Sequence, residues 1–191
     1  MQIRSTPELV TIAVWLAWWI SWMLAAFWRE RAAKQPPTRS QIVYRVLAIG
    51  GAILLFNPVF PPIDVPLWRW PVPVQWALVA LCVCGFAFTW WARIHLGKLW
   101  SSNVGRKADH RVVDSGPYGI VRHPIYTGII VASVATAALR ATAGAWLGVA
   151  LMTLGWYVKA RLEERFLREQ LGPDNYDAYA RRVPMLIPFV R

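Results

Sequence analysis

The apolar positions of this chain fall in long, almost uncharged blocks separated by short polar or proline-rich segments. Leu9 to Phe27 carries no charge, and Ile42 to Phe60 carries only Arg45, in its first turn, where a long side chain can snorkel to a surface. Val74 to Trp91 is uninterrupted and is followed by Arg93 and His95. Ile125 to Val158 is broken only by Arg140, which divides it into two segments of roughly 15 and 18 residues that read as a helical hairpin. A hydrocarbon core about 30 Å thick takes roughly 20 residues at about 1.5 Å each, so the first arm of the hairpin, reaching some 23 Å, crosses a thinned region or stops short. The pattern predicts an all-α integral membrane protein of about five transmembrane helices, the last two a short hairpin.

Beyond the last block, Val158, Leu162 and Phe166 recur every four residues, so the helix continues past the membrane surface with a polar face. Gly172-Pro173-Asp174 stops it, Asn175 to Arg182 forms a further turn or short helix, and Pro184 ends that. Met185 to Val190 is expected to tuck back against the bilayer. Residues 1–95 then make an N-terminal three-helix membrane part, and 96–191 a second part with loop, hairpin and tail.

Composition supports the membrane assignment and fixes its direction. A chain of 191 residues with 57% apolar residues, 13 tryptophans and 16% charged residues is wrong for a soluble domain. With five crossings, 18 of the 21 Lys and Arg lie on one side, which places the N-terminus outside and the C-terminus in the cytoplasm. The first block lacks the short apolar core and cleavage site of a signal peptide and is expected to stay as a span. Positive-inside topology explains the net charge of +11 better than nucleic-acid binding, with attraction to anionic headgroups as an accompaniment. Cys82 and Cys84 point to different faces of one helix and imply no disulfide, and no cluster has metal-ligand spacing. Trp68 and Trp70 suit the headgroup belt, while Gly128, Ala132 and Thr136 on one arm and Gly144 and Gly148 on the other suit close helix approach.

The polar chemistry gathers at the cytoplasmic surface. Gly116-Pro117-Tyr118-Gly119-Ile120-Val121-Arg122-His123-Pro124-Ile125-Tyr126-Thr127-Gly128 is a glycine- and proline-rich hinge entering the hairpin. Lys159 and Glu163, at i and i+4, share one face of the returning helix. Each has a plainer reading: Arg122 as a headgroup anchor, His123 as a helix cap, Tyr126 as an interfacial aromatic, and Glu163 and Glu164 as a solvated charged face.

Gly-Pro-Tyr, then Arg-His-Pro-x-Tyr-x-Gly, a hairpin, Glu-Glu, and Leu-Gly…Tyr…Tyr…Arg-Val-Pro together resemble the isoprenylcysteine carboxyl methyltransferase family, over roughly Ile94 to Pro188. The resemblance implies a S-adenosyl-L-methionine-dependent methyltransferase of a bacterial or archaeal inner or plasma membrane. Its cofactor would sit in a cytoplasmic pocket formed by a loop and the C-terminal helix, and its lipophilic acceptor would enter from the bilayer. Asn103, His110, Arg111, Val112, Val113, Gly116 and Tyr118 would line the cofactor. Arg122, His123, Pro124, Ile125 and Tyr126 would close on its amino-acid end, and Glu163 would hold its charged end. Glu163, Lys159 and Arg93 form the candidate catalytic set, although Arg93, like His95, is equally explained as a snorkelling residue ending the third span. Lys159 stands where eukaryotic members have arginine, which keeps a cation for an acidic acceptor but removes a bidentate fork. A prenylcysteine-like carboxylate is the acceptor most suggested; phospholipid amines and thiols stay open. NADPH-dependent membrane sterol reductases also carry Arg-His-Pro-x-Tyr before a hairpin. Here Ile125 and Thr127 replace their typical residues, and the acidic residue after Gly128 is missing.

Overall fold

The structure, a computed structural model, describes residues 5–26, 38–56, 61–97 and 113–190. Among these residues seven α-helices follow in order: α1 Thr6–Ala26, α2 Thr38–Phe56, α3 Val72–Leu96, the short α4 Pro117–Ile120, α5 Pro124–Arg140, α6 Ala143–Leu171 and α7 Pro173–Arg182. Among the described residues the only pairing of extended backbone is one bridge, between Pro66 and Thr142.

The helix ends follow from local chemistry. Ser5 precedes α1 and donates its backbone N–H to Glu8 Oε2 at 3.0 Å, one half of a capping box. Proline at its first turn starts α5, where a missing N–H costs nothing. Arg140 ends it by donating to the Leu55 carbonyl at 2.6 Å and to Asp64 at 2.5 Å. Ala141 turns the chain in a left-handed conformation, φ 53°, and Thr142 caps α6 by accepting from the Ala145 N–H at 3.1 Å. The segment leading into α3 is tied to this turn by the Leu67 N–H to the Ala141 carbonyl and by the Trp70 indole to the Ala138 carbonyl.

Small residues set the packing, but not between the two arms. The most extensive contacts are of α2 with α6 and of α3 with α5. A Cβ added at Gly128 would lie 2.5 Å from the Gly85 carbonyl oxygen, and one at Gly148 2.6 Å from that of Gly51. Gly128 and Ala132 therefore seat α5 on α3, and Gly148 seats α6 on α2. Helix α1 lies along α3 and α5. The indoles of Trp15 and Trp18 donate to Thr136 and Thr89 at 2.9 and 2.8 Å, pinning this otherwise greasy helix by two side-chain bonds.

Among the described residues two helices, Thr6–Ala25 and Val72–Leu96, are long and apolar enough to cross a membrane, whereas Gln41–Phe56 and Pro124–Arg140 are shorter apolar helices. Leu16, Trp19 and Leu24 of α1, and Val46 and Ile49 of α2, are exposed. An apolar surface of this kind fits hydrocarbon rather than water, and the chain is a membrane protein.

Candidate functional site

The hinge is built on the end of α3. Gly116, at φ 56°, occupies a backbone region that side-chain-bearing residues avoid, and a Cβ there would lie 2.8 Å from the His95 ring. That absence lets His95 reach Ser115 Oγ at 3.0 Å and lie over the Tyr118 ring, centroids 6.4 Å apart. After α4 the chain extends through Val121 and meets the residues that follow α7. The backbone N–H groups of Arg122 and His123 donate to the carbonyls of Pro184 (2.8 Å) and Met185 (3.1 Å), and Thr127 Oγ1 donates to that of Leu186 (2.6 Å). Tyr179 Oη donates to the Tyr118 carbonyl at 2.7 Å. Helix α7 supports this strap through Tyr176, Tyr179 and Val183, which pack with Leu167 of α6.

Helix α6 carries two adjacent carboxylates into the hinge. Arg122 Nε donates to Glu164 Oε1 at 2.7 Å, and its Nη1 to the carbonyls of Ala180 and Val183 at 2.8 and 2.6 Å. His123 lies between the acids, Nε2 3.4 Å from Glu164 Oε1 and Nδ1 3.6 Å from Glu163 Oε2. Tyr126 Oη donates to Glu163 Oε1 at 2.5 Å, and Lys159 Nζ stands 3.9 Å from the same oxygen. The rings of His123, Tyr126 and Trp156 stack in near-parallel sequence at 5.5 and 5.0 Å.

Opposite charges therefore alternate from Arg122 through Glu164, His123 and Glu163 to Lys159. Burial opposes ionisation, but hydrogen bonds from His123 and Arg122, with their charges, bring the Glu164 carboxyl down to about 2. For Glu163, burial is likewise outweighed by His123, Lys159 and Tyr126, and its carboxyl is lowered. Burial works against protonated His123, yet the two carboxylates raise its value above the ordinary imidazole range. Such a chain can hold a zwitterion or an ion; it has no strong unpaired base among these three groups.

The expected residues are distributed unevenly around this cluster. Tyr118, Arg122, His123, Pro124, Tyr126, Lys159 and Glu163 are brought together on the hinge and the facing side of α6, with Gly116 beside His95 at the start of the hinge, whereas among the described residues nothing ties Val113 to the cluster. Ile125 packs instead against the apolar core of α5 and α6. Arg93 is held at the α1–α3 contact, over the rings of Trp22 and Trp90 and bonded to the Ala25 carbonyl. Asn103, His110, Arg111 and Val112 lie outside the described residues. Sequence reasoning set aside His95 and ranked Glu164 below Glu163, although Glu164 is the more buried and ties Arg122 to His123. Met185 to Val190, expected to tuck back against the bilayer, begins with two carbonyls, of Met185 and Leu186, that accept from the hinge.

The comparisons bear on this region. The model of the isoprenylcysteine carboxyl methyltransferase (ICMT) family matches residues 78–169. Methanethiol S-methyltransferase 1 of Bradyrhizobium diazoefficiens is 32% identical over 184 residues, 86% of this chain and 59% of that protein. Protein-S-isoprenylcysteine O-methyltransferase B of Arabidopsis thaliana is 31% identical over 112 residues, 58% of this chain and 51% of its own. The cobalt-zinc-cadmium resistance protein CzcN of Cupriavidus metallidurans is 34% identical over 98 residues, 49% and 43% of the two chains. The chain thus spans about half the length of these curated relatives. The hinge, both carboxylates, α5 and α6 as far as Glu169 fall inside the residues that match the model of the isoprenylcysteine carboxyl methyltransferase family.

Proposed function

We propose that this protein is an integral membrane methyltransferase that uses S-adenosylmethionine and acts on a lipophilic acceptor, foremost the carboxylate of an isoprenylcysteine-like compound. The observation that carries the reading is the alternating charge cluster of Arg122, Glu164, His123, Glu163 and Lys159, set where the apolar part of α6 gives way to its charged part. The residues fit the cofactor's amino-acid end. Glu164 is buried and its Oε2 has no hydrogen-bond partner among the described residues, an acceptor suited to an ammonium group. Glu163 supplies a second negative charge, and Gly116 and Tyr118 form the approach, with Asn103, His110, Arg111, Val112 and Val113 as further contacts. Arg122 is engaged by Glu164 and two carbonyls, so its part is to hold the hinge closed.

When bound, S-adenosylmethionine supplies a methyl group on a sulfonium, and transfer disperses positive charge, so positioning and exclusion of water matter more than a strong acid. Tyr126 and His123 fix the Glu163 carboxylate, and the strap of residues 184–186 covers the backbone of the hinge. Lys159 faces the acceptor side, and Arg93, at the α1–α3 contact, marks where α1–α3 would grip the acceptor's apolar tail. Five crossings, with α5 and α6 as a hairpin and the N-terminus outside, put the cluster at the cytoplasmic face of a bacterial or archaeal plasma membrane. A small thiol is the second acceptor, favoured by the match to a methanethiol S-methyltransferase over 86% of this chain.

Titration of the purified, detergent-folded protein with S-adenosylhomocysteine tests the reading. Saturable binding is expected, and its absence from demonstrably folded protein refutes it. Labelled S-adenosylmethionine supplied to membranes then identifies the fraction that gains the methyl group.

A further inference from the structure

His95 leaves the last turn of α3 and is exposed, so burial of its ring contributes little to the fold. It nevertheless meets three residues at the start of the hinge. Its Nε2 lies 3.0 Å from Ser115 Oγ, its ring lies over that of Tyr118 at an interplanar angle of 26°, and its edge fills the place that a Cβ of Gly116 would take. The turn it touches holds itself by backbone bonds from the Tyr118 and Gly119 N–H groups to the Ser115 and Gly116 carbonyls, at 3.2 and 3.1 Å, and from Val121 to Pro117 at 3.2 Å. A helix of four residues does not recover its nucleation cost from such bonds, so its shape has to be imposed by its neighbours. Tyr179 of α7 fixes the Tyr118 backbone by donating to its carbonyl at 2.7 Å, and among the described residues His95 supplies the contact to the ring. Burial, and then the charge of Glu163, push the Tyr118 phenol above its ordinary range, so this ring stands in the field of the acidic cluster. The support behind His95 is firm: two residues earlier, Arg93 lies over Trp22 and Trp90 and bonds the Ala25 carbonyl of α1.

We propose that His95 is a positioning residue of the cofactor site, a bracket on the third membrane helix that holds the Tyr118 ring, and with it the turn from Ser115 to Gly119, in the shape that the cofactor meets. The inference rests on the methyltransferase reading and adds to it a residue from outside the Gly116 to Gly128 hinge. It also gives Gly116 a second duty. Beyond turning the chain at φ 56°, the missing side chain leaves the space in which the imidazole lies. A residue that only ended the span at the membrane surface would be interchangeable with another polar side chain. A bracket needs a flat ring, because the Tyr118 ring and the Gly116 backbone both rest against one.

The two roles predict opposite outcomes for two substitutions in the full chain, folded in detergent and titrated with S-adenosylhomocysteine. His95→Gln keeps a polar group but loses the ring, and is expected to weaken binding by roughly fivefold or more, whereas His95→Phe keeps the ring and should stay within about twofold of the unaltered protein. Because His95 acts through Tyr118, His95→Gln should cost no more than about twofold further when added to Tyr118→Leu. Hydrogen exchange of the Tyr118, Gly119 and Val121 amides, measured without any ligand, should be roughly fivefold faster in His95→Gln, with the Gly97 amide that closes α3 unchanged. Undiminished binding by His95→Gln, a loss in His95→Phe as large as in His95→Gln, or a full additional loss on top of Tyr118→Leu overturns the proposal. So does unchanged exchange of the three hinge amides, which decides the matter even where Tyr118→Leu binds too weakly to titrate. Absence of S-adenosylhomocysteine binding in the unaltered protein refutes the methyltransferase reading instead, and the exchange measurement still shows whether His95 holds the turn.

Discussion

Glu164→Gln removes one charge from the centre of the site and leaves its shape almost unchanged. The fall of this carboxyl from an ordinary 4.5 to about 2 corresponds to about 3 kcal/mol in favour of the ionised form. That agrees with the roughly 3–5 kcal/mol lost when one partner of a buried ion pair is removed. The stabilisation is present above the ordinary carboxyl value and is lost as pH falls through about 2. In the variant Arg122 faces a neutral amide while its Nη1 still bonds the Ala180 and Val183 carbonyls. Separation of the strap from the hinge lets that guanidinium hydrate. The opening equilibrium should therefore rise by the same 3 kcal/mol, about a hundredfold. Hydrogen exchange of the Arg122 and His123 amides, which are bonded to Pro184 and Met185, reads this directly by mass spectrometry in detergent. Exchange about a hundredfold faster at the hinge, with the middle of α3 unchanged, is expected. Protection within about threefold of the unaltered protein would show that the pair does not hold the strap, and would refute the reasoning.

Raised above its ordinary value by Glu163 and Glu164, His123 contributes stability that is complete below about 6.5 and is lost as pH climbs through its folded value. Thermal stability in detergent should decline from neutral toward alkaline pH, and His123→Gln should flatten that decline. Tyr126→Phe keeps the ring stack but removes a charge-assisted bond worth about 1.5–3 kcal/mol; methyl transfer should lose roughly ten- to a hundredfold in kcat/KM. Gly128→Val places side-chain atoms against the Gly85 carbonyl and Thr89 Cγ2, separating α5 from α3 at a cost of about 1–3 kcal/mol, seen as a lower melting temperature. Gly50→Ala, with nothing within 4 Å of the new Cβ, should match or exceed the unaltered protein by up to about 1 kcal/mol.

The helices were legible because hydrophobic blocks, prolines and glycines are local signals: α1, α3 and the stop at Gly172 can each be read from a few neighbours. Tyr126 and Glu163 were legible as candidates for the same reason, since each sits at a recognisable position in a motif. Their bond to each other spans 37 positions and could not be read from spacing. The i, i+4 rule pointed to Glu163 with Lys159, which hid the role of Glu164. Only the position of Arg122 and the strap reveals that the neighbouring face of α6 is the buried one. The small residues illustrate the same limit. Their spacing in α5 and α6 announced close approach, but the partners, Gly85 and Gly51, lie in earlier helices with no local sign of the pairing.

The strap also imposes a sequence of events on biogenesis. Arg122 precedes Glu164 by 42 positions and Val183, whose carbonyl it also binds, follows it by 61. The acidic pair is thus neutralised from within the hinge, α5 and α6, whereas closure over the hinge needs the residues that follow α7. A chain cut short within α7 would keep α5, α6 and the acidic pair but lack the carbonyl partners of the hinge. Completion of the site is in this way tied to completion of α7 and the segment after it, so a shortened product is expected to remain in the membrane without binding cofactor.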